Sequence, residues 1–294
     1  MINLIKKIKY FFQFTVILSL FFLFKLLGLS NSRFIASKIF IFFGPFFRSN
    51  IITKSNISKA FPNKDENFKN KIIHEMWLTY GKILSEYNFI KDFREGIFAE
   101  KIEVKGQAEL EKIKTNKQPV IFISGHFDNF ELMAMHIEKS GLDLAVVYRP
   151  LNNQYLNPIM ENIRKKYICK NQIKKGLMGI RESINYVKKG NSIALMVDQR
   201  VGESERCNFF NIPAHRTTIP AQLSLKFNLE IVPIYLERKN IDSFIMEICE
   251  PIKINKSDNK EEDKKKITIK INEQIEKMVK RNPGQWIWTH SRWK

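Results

Sequence analysis

Residues 118–126 read QPVIFISGH, a short run of β-branched and aromatic residues that ends in a turn signal. Three further runs have the same kind of composition, at 143–150 (DLAVVYRP), 191–200 (NSIALMVDQR) and 229–238 (LEIVPIYLER). Runs of this kind predict β-strands, and the segments between them have the apolar spacing of α-helices. Strands that alternate with helices predict an α/β fold with a mixed, mostly parallel central sheet flanked by helices.

The side chains best suited to chemistry follow these predicted strands. His126 comes directly after the first run, Arg149 lies near the end of the second, and Asp198 closes the strand of the third. In open α/β sheets, ligands bind just beyond the carboxyl ends of the strands. The sequence therefore predicts a functional site at this edge of the sheet.

The strongest local motif is GHFDNFE at 125–131, which supplies His126 and, five positions later, Glu131. A step of five residues in an ideal helix turns the side chain by about 140°. The two side chains can therefore meet only if a helix begins inside the motif and His126 lies in the turn before it. A histidine held by a carboxylate is a good general base near neutral pH. On spacing alone, the favoured interpretation is a turn histidine and a surface acid.

The first 30 residues predict a membrane anchor. After three lysines, residues 10–30 (YFFQFTVILSLFFLFKLLGLS) are almost entirely apolar, and their length is near the roughly 20 residues of a spanning helix. The alternatives are a helix that lies in the membrane interface and a cleaved signal peptide, which the long apolar stretch disfavours. No linker follows, so we expect an anchor (1–30) and one further domain (31–294).

Two other segments have two interpretations each. Residues 33–50 alternate basic residues with Phe and Ile. They form either a second membrane-surface helix, broken at Gly44 and Pro45, or the first helix of the core. The chain closes on WIWTHSRWK (286–294), which forms either an aromatic and basic lip at the bilayer surface or part of the core.

The charge balance predicts anionic partners. With 49 basic and 30 acidic side chains, the formal net charge is +19. This excess favours lipid headgroups, a phosphorylated glycolipid, nucleic acid or an acidic carrier protein, and it does not choose among them. The three cysteines have no CxxC spacing, so a zinc or redox site is not indicated. We expect no metal and no organic cofactor.

Four ordered blocks give the chain a family resemblance. They are H-x4-E after a strand, VYRP at 147–150, DQR at 198–200 and the closing WIWTHSRWK. With the N-terminal anchor, these blocks resemble the bacterial lipid A biosynthesis acyltransferases, the lauroyl and myristoyl transferases. The resemblance runs from about the anchor to the last residue. It implies a fold similar to that of the glycerolipid acyltransferases, a general-base role for His126, and an orienting role for Glu131.

The resemblance also implies roles in substrate binding. Arg164 matches a family arginine implicated in catalysis or substrate binding, and HRTT at 215–218 is similar to a family loop that we expect to line the acyl or headgroup pocket. The candidates for substrate binding are Arg149, Arg164, Asp198, Arg200 and Arg216. Without the resemblance, Arg164 reads equally well as one basic residue of a solvated helix, and Asp198 as a turn residue.

The motif departs from the family at two positions. The family commonly reads GHFGNWE, whereas this chain has Asp128 in place of the glycine and Phe130 in place of the tryptophan. Both differences leave the histidine and the glutamate intact. They put the fine substrate preference in doubt.

The function implied by the resemblance is O-acyl transfer. The donor is an acyl carrier protein thioester, and the acceptor is a hydroxyl of a lipid A precursor, a phosphorylated glycolipid, at the cytoplasmic face of a bacterial inner membrane. No serine lies in a G-x-S-x-G motif, so direct transfer is expected instead of an acyl-enzyme. One alternative is the same chemistry on a lysophospholipid, an ornithine lipid or a mannosylated glycolipid. A remote one is a membrane-tethered basic protein that binds nucleic acid, for which the sequence has no recognition motif.

Overall fold

The computed structural model describes residues 2–202 and 205–293. Within these residues the helices are α1 (Ile2–Phe47), α2 (Asn50–Ala60), α3 (Glu66–Glu86), α4 (Ile90–Glu95), α5 (Gln107–Asn116), α6 (Glu131–Lys139), α7 (Leu156–Tyr167), α8 (Leu177–Lys188), α9 (Ile219–Phe227) and α10 (Lys260–Arg281). The strands are β1 (Ile102–Lys105), β2 (Ile121–Ser124), β3 (Leu144–Tyr148), β4 (Asn171–Lys174), β5 (Ser192–Met196), β6 (Arg206–Phe209), β7 (Ile212–His215), β8 (Ile231–Arg238) and β9 (Phe244–Ile248).

One seven-stranded sheet organises the described part of the chain. Its strand order is β1-β9-β8-β2-β5-β3-β4, and β6 and β7 form a separate antiparallel hairpin. Strand β2 is parallel to both of its neighbours, β5 and β8, and β3 is parallel to β4 and β5. The pairing of β8 with β9 is antiparallel, and β1 is parallel to β9. The prediction of a mixed, mostly parallel sheet flanked by helices is confirmed.

The central strand β2 is buried on both faces. All of its residues are buried, which explains why its sequence is a continuous apolar run and does not alternate. Ile121 and Ile123 pack into one hydrophobic cluster, and Phe122 packs into the other. The two clusters lie on opposite faces of the sheet because successive side chains of a strand point in opposite directions.

The first helix is longer than the predicted anchor and is kinked. At Gly28 the backbone leaves the helical region, with φ of 73° and ψ of 171°. The Ser32 hydroxyl lies 2.8 Å from the carbonyl oxygen of Phe24 and 2.6 Å from that of Gly28, so its one proton is donated at the kink. Such partners matter in a membrane because freed backbone groups find none in hydrocarbon. Leu4–Phe47 is the one described segment long and apolar enough to cross a membrane.

The second half of α1 packs on the protein body, as in the core-helix interpretation of residues 33–50. Gly81 of α3 approaches it so closely that a Cβ atom there would lie 2.4 Å from the carbonyl oxygen of Ala36. The helix continues through Pro45 to Phe47, so the predicted break at Gly44 and Pro45 is wrong. Its outer surface remains apolar, with exposed side chains at Phe42, Phe43, Phe46 and Phe47.

The closing segment belongs to the core. Trp286, Trp288 and Arg292 are each at most 2% exposed. The indole N–H of Trp288 donates to the carbonyl oxygen of Pro283 (2.7 Å), and that of Trp293 donates to the carbonyl oxygen of Phe209 (3.0 Å). An aromatic lip at the bilayer surface is therefore not formed by these tryptophans.

Candidate active site

The register of two central strands brings His126 and Asp198 together. Ser124 at the end of β2 pairs with Met196 at the end of β5. His126 and Asp198 each follow two residues later, so both leave the carboxyl edge of the sheet at the same level. The imidazole Nδ1 of His126 lies 2.8 Å from Oδ1 of Asp198.

Both oxygens of the Asp198 carboxylate are engaged. Oδ1 contacts the His126 ring, and Oδ2 accepts the backbone N–H of His126 (2.8 Å) and the indole N–H of Trp286 (2.9 Å). Burial by itself raises the pKa of Asp198, but the charge of His126 and these hydrogen bonds outweigh it and hold that pKa well below its usual value. Asp198 is therefore an anion at neutral pH.

This contact leaves Nε2 of His126 available for chemistry. Because Asp198 accepts at Nδ1, the neutral ring carries its proton there and has its lone pair on Nε2. The His126 side chain is 19% exposed, whereas that of Asp198 is fully buried. The ring of Phe130 packs edge-on against the imidazole, with 4.8 Å between centroids. A histidine held in this way is suited to removing a proton from a hydroxyl group.

Glu131, the other residue of the motif, contacts Arg164 and not His126. Its Oε1 accepts from Nε (2.8 Å) and Nη2 (2.7 Å) of Arg164, and from the hydroxyl of Tyr87. The structure thus differs from the sequence-based expectation that Glu131 orients the imidazole, because Asp198 occupies that position. The physical reason is that adjacent strands end only about 4.8 Å apart, whereas a turn and a helix start separate the two residues of the motif.

Arg164 keeps one nitrogen unengaged. Its Nε and Nη2 are held by Glu131, and Nη2 lies 3.1 Å from the Tyr87 hydroxyl. Burial and the charge of Glu131 raise the pKa of Tyr87, so this phenol stays protonated and donates. Nη1 of Arg164 makes no hydrogen bond to any residue that the structure describes. It is the group of this cluster best placed to meet an anion.

The remaining predicted arginines occupy three different environments. Arg149 is exposed after β3, and Arg200 is half-buried two positions after Asp198. Arg216 is buried, and its Nη1 donates to the carbonyl oxygen of Val197 (2.8 Å) while its guanidinium lies 4.0 Å from the Phe209 ring centroid. Arg216 therefore holds the backbone next to Asp198 and does not line an open pocket as expected.

Asp198 also differs from its predicted role. The sequence places it among the substrate-binding candidates, as a carboxylate for an arginine or a sugar hydroxyl. In the structure its two oxygens are occupied by His126 and Trp286, and the side chain is fully buried. Its carboxylate therefore holds the His126 ring and is not exposed at the surface of the site.

Buried charges hold the loop that carries His126. Asp128 has φ of 40°, a left-handed conformation that glycine adopts most easily, which explains why glycine suits this position of the motif. Its carboxylate binds Nε (3.0 Å) and Nη2 (2.6 Å) of Arg238. Arg238 also contacts Glu86 (2.8 Å), to which Asn129 donates as well (2.8 Å). The loop is thus tied to β8 and α3.

Three residues of this site have roles that the sequence does not predict. Trp286 was expected in a membrane lip or in the core, and it donates to Asp198. Arg238 closes the 229–238 run, so its position at a strand end was the available signal. Tyr87 had no distinguishing signal beyond the helical spacing around it.

The arrangement supports acid–base chemistry. In residues 2–202 and 205–293, no group of three or more His, Cys, Asp or Glu side chains could hold a metal ion. The site offers an oriented imidazole in His126 and, on the neighbouring cluster, a guanidinium in Arg164. Together with the apolar N-terminal helix, an oriented imidazole suits a membrane-anchored enzyme that uses general acid–base chemistry.

Comparison with known proteins gives the family. A family model described as bacterial lipid A biosynthesis acyltransferase matches residues 3–294. The lipid A biosynthesis acyltransferase 2 of Shigella flexneri is 24% identical over 242 residues, which cover 79% of this chain and 74% of that protein. The lipid A biosynthesis palmitoleoyltransferase of Escherichia coli (strain K12) is 24% identical, with coverage of 84% and 79%. The myristoyltransferase of the same strain is 22% identical, with coverage of 79% and 71%.

The chain belongs to the bacterial lipid A biosynthesis acyltransferase family. It is therefore an enzyme that transfers acyl groups. The fold and the oriented histidine agree with this membership.

Proposed function

We propose that this enzyme transfers a fatty acyl chain from an acyl carrier protein thioester to a hydroxyl of a lipid A precursor, a secondary acylation. The observation that carries the proposal is the His126–Asp198 pair, which leaves Nε2 free at the carboxyl edge of the sheet. The names of the relatives, a palmitoleoyltransferase and a myristoyltransferase among them, support the acyl chemistry. Residues 1–30 then serve as the anchor, and residues 31–294 as the catalytic domain at the cytoplasmic face of a bacterial inner membrane.

The reaction proceeds by direct transfer. Nε2 of His126 removes the proton of the acceptor hydroxyl as its oxygen attacks the thioester carbonyl, and Asp198 stabilises the imidazolium that forms. When the tetrahedral intermediate collapses, the C–S bond breaks and the imidazolium returns its proton to the departing thiolate. An ester and a free thiol result. His126 ends in its starting protonation state.

Basic side chains supply the electrostatic part of the mechanism. Nη1 of Arg164 is available for the developing oxyanion or for an acceptor phosphate, since a guanidinium offers forked donors to either. The exposed Arg149 and the formal net charge of +19 favour the approach of an acidic carrier protein. Arg200 belongs to the acceptor side of the site, and Arg216 supports the backbone next to Asp198.

An assay with defined lipids tests this function. The purified full chain in detergent micelles is incubated with an acyl carrier protein thioester and, separately, with a lipid A precursor, a lysophospholipid, an ornithine lipid and a mannosylated glycolipid. We expect mass spectrometry to find one added acyl chain on the lipid A precursor alone. The matching acyl coenzyme A thioester serves as the donor control, and transfer from it should be slower.

Three results would contradict the proposal. Transfer to the lysophospholipid without transfer to the lipid A precursor would show that the acceptor is a lysophospholipid and not a lipid A precursor. Equal rates from the two thioesters would remove the carrier protein as the preferred donor. Steeply salt-dependent nucleic-acid binding without any acyl transfer would favour a basic binding protein.

Replacing Arg164 with lysine is expected to lower kcat/KM by about tenfold. The ammonium keeps the charge, but it cannot hold Glu131 and Tyr87 and also present a free N–H in the geometry of the guanidinium. Steady-state acyl transfer is the measurement. Lys165→Arg, the reverse exchange at an exposed neighbour, is the control. An unchanged kcat/KM in Arg164→Lys would mean that the positive charge alone supports turnover and that the forked N–H donors of the guanidinium are not needed.

A further inference from the structure

A second feature is a cleft of about 510 Å³ between the α1–α2 turn and the closing segment of the chain, lined in part by Arg200, two residues after Asp198. This volume falls in the range of about 300 to 1,000 Å³ that is usual for small-molecule sites. Its polar lining is Arg48, Ser49, Arg200, Thr289, His290 and Ser291. Every one of these side chains can donate a hydrogen bond, and no acidic side chain lines the cleft among the described residues.

Among the residues that the structure describes, no carboxylate lines the cleft beside its cationic groups. Neither Arg48 nor Arg200 forms an ion pair within residues 2–202 and 205–293. Nε of Arg200 and Nδ1 of His290 are buried and bonded to no described atom. The cleft brings the exposed guanidinium of Arg48 and the half-buried guanidinium of Arg200 to one cavity, so its charge is suited to an anion.

A helix terminus adds to this potential. Helix α2 begins at Asn50, and Ser49 is its N-cap. The N-terminal end of a helix carries a partial positive charge and free N–H groups. With Arg48 directly before the cap, the positive end of α2 lies at the same cleft as Arg200.

The walls of the cleft come from the end of the apolar helix and from the closing segment of the chain. His290 follows four residues after Trp286, whose indole N–H donates to Asp198 (2.9 Å). Thr289, the residue before it, is held by the Tyr80 hydroxyl (3.1 Å). On the other wall lies Phe47, whose exposed ring ends the apolar helix α1. The cleft therefore lies between the end of the apolar helix and the chain segment that contacts Asp198.

We propose that this cleft is the binding site for a phosphate monoester of the glycolipid acceptor, held between the guanidinium groups of Arg48 and Arg200. This inference rests on the proposed function and deepens it, because it identifies the part of the acceptor that is recognised away from the reacting hydroxyl. A phosphate monoester carries nearly two negative charges at neutral pH, which matches two arginines. A phospholipid diester carries one charge and leaves one arginine unbalanced.

The test measures binding separately from turnover. The full chain in neutral detergent micelles is titrated by calorimetry with three lipids: the phosphorylated lipid A precursor, the same lipid after its phosphates are removed by phosphatase, and phosphatidylglycerol. The variants are Arg48→Gln and the double variant Arg48→Gln, Arg200→Gln. The double variant Lys188→Gln, Lys260→Gln removes the same charge from exposed positions away from the cleft, and it is the control.

We expect the double arginine variant to bind the phosphorylated precursor at least about tenfold more weakly than the wild type, as loss of charge-assisted hydrogen bonds predicts. Arg48→Gln, at an exposed position that does not endanger folding, should show part of this loss. The dephosphorylated lipid should bind wild type and variants equally. The lysine control should match the wild type with all three lipids.

Three results would overturn the inference. The first is an unchanged affinity of the arginine variants, and the second is a loss no larger than that of the lysine control. The third is an equal loss for phosphatidylglycerol, which would make the cleft a general site for lipid headgroups. Binding is measured without an acyl donor, so it does not depend on the acyl-transfer assay. A failed transfer assay would contradict the proposed function, whereas the binding result would still test the phosphate site.

Discussion

Replacing Asp198 with asparagine is expected to lower kcat for acyl transfer by about 10³- to 10⁴-fold while the protein stays folded. The carboxylate accepts from three N–H groups, namely the His126 ring, the His126 backbone and the Trp286 indole. An asparagine has one oxygen for these donors. If that oxygen faces the backbone and the indole, its NH₂ group faces Nδ1, which must then accept. The imidazole proton moves to Nε2, and the base is lost.

The matched control for this prediction is Asp258→Asn, the same exchange at an exposed loop position. It should leave kcat unchanged. Circular dichroism and a thermal melt in micelles show whether each variant is folded. If Asp198→Asn keeps kcat within tenfold of the wild type while Glu131→Gln abolishes turnover, the orienting carboxylate would be Glu131 after all.

The pair should also behave as one unit. His126→Ala removes the base itself, so adding Asp198→Asn to it should cost no further turnover. Residues that act together in catalysis are strongly non-additive in this way. Two independent losses that multiply would mean that Asp198 acts through another group.

The fold could be predicted from the sequence because its signals are local. The apolar runs at 118–126, 143–150, 191–200 and 229–238 each became a strand, since a central parallel strand is buried on both faces and cannot alternate. The position of the candidate site was predicted from the same pattern. His126 and Asp198 both lie just after strands, where open α/β sheets bind their ligands.

The pairing within the site could not be read from the sequence. His126 and Glu131 are close along the chain and so suggest a pair, whereas the partner of His126 comes from 72 positions away. Strand order and register decide which two strand ends are neighbours, and neither is visible in one sequence. A histidine and an aspartate that each end a strand were the only hint of it.

The ion pair between Asp128 and Arg238, which holds the loop that carries His126, could not be predicted from the sequence for a similar reason. Asp128 stands where the family commonly has glycine, and the sequence alone suggests only a change in substrate preference. In the structure, Asp128 has a conformational and an electrostatic role instead. The residue takes a left-handed conformation, with φ of 40°, and binds Arg238 from the end of β8.

Replacing Arg238 with methionine should therefore lower the free energy of unfolding by about 3–5 kcal/mol, the usual cost of removing one partner of a buried ion pair. Methionine preserves the apolar stem that packs near Phe244, to whose ring centroid the guanidinium lies 4.4 Å. It leaves the buried carboxylate of Asp128 without a cation. Glu86 is less affected because Arg33 also binds it (2.6 Å). Chemical denaturation in micelles measures the loss, and Arg181→Met at an exposed position should show none.

A second exchange separates the ion pair from a simple packing defect. Adding Asp128→Gly to Arg238→Met removes the unpaired carboxylate and supplies the residue that tolerates a positive φ most easily. The double variant should therefore be more stable than Arg238→Met alone, although Asp128→Gly by itself should destabilise the wild type by leaving Arg238 with Glu86 only. If the double variant is no more stable than Arg238→Met, the lost stability comes from packing around β8. The buried charge on the His126 loop would then not be its cause.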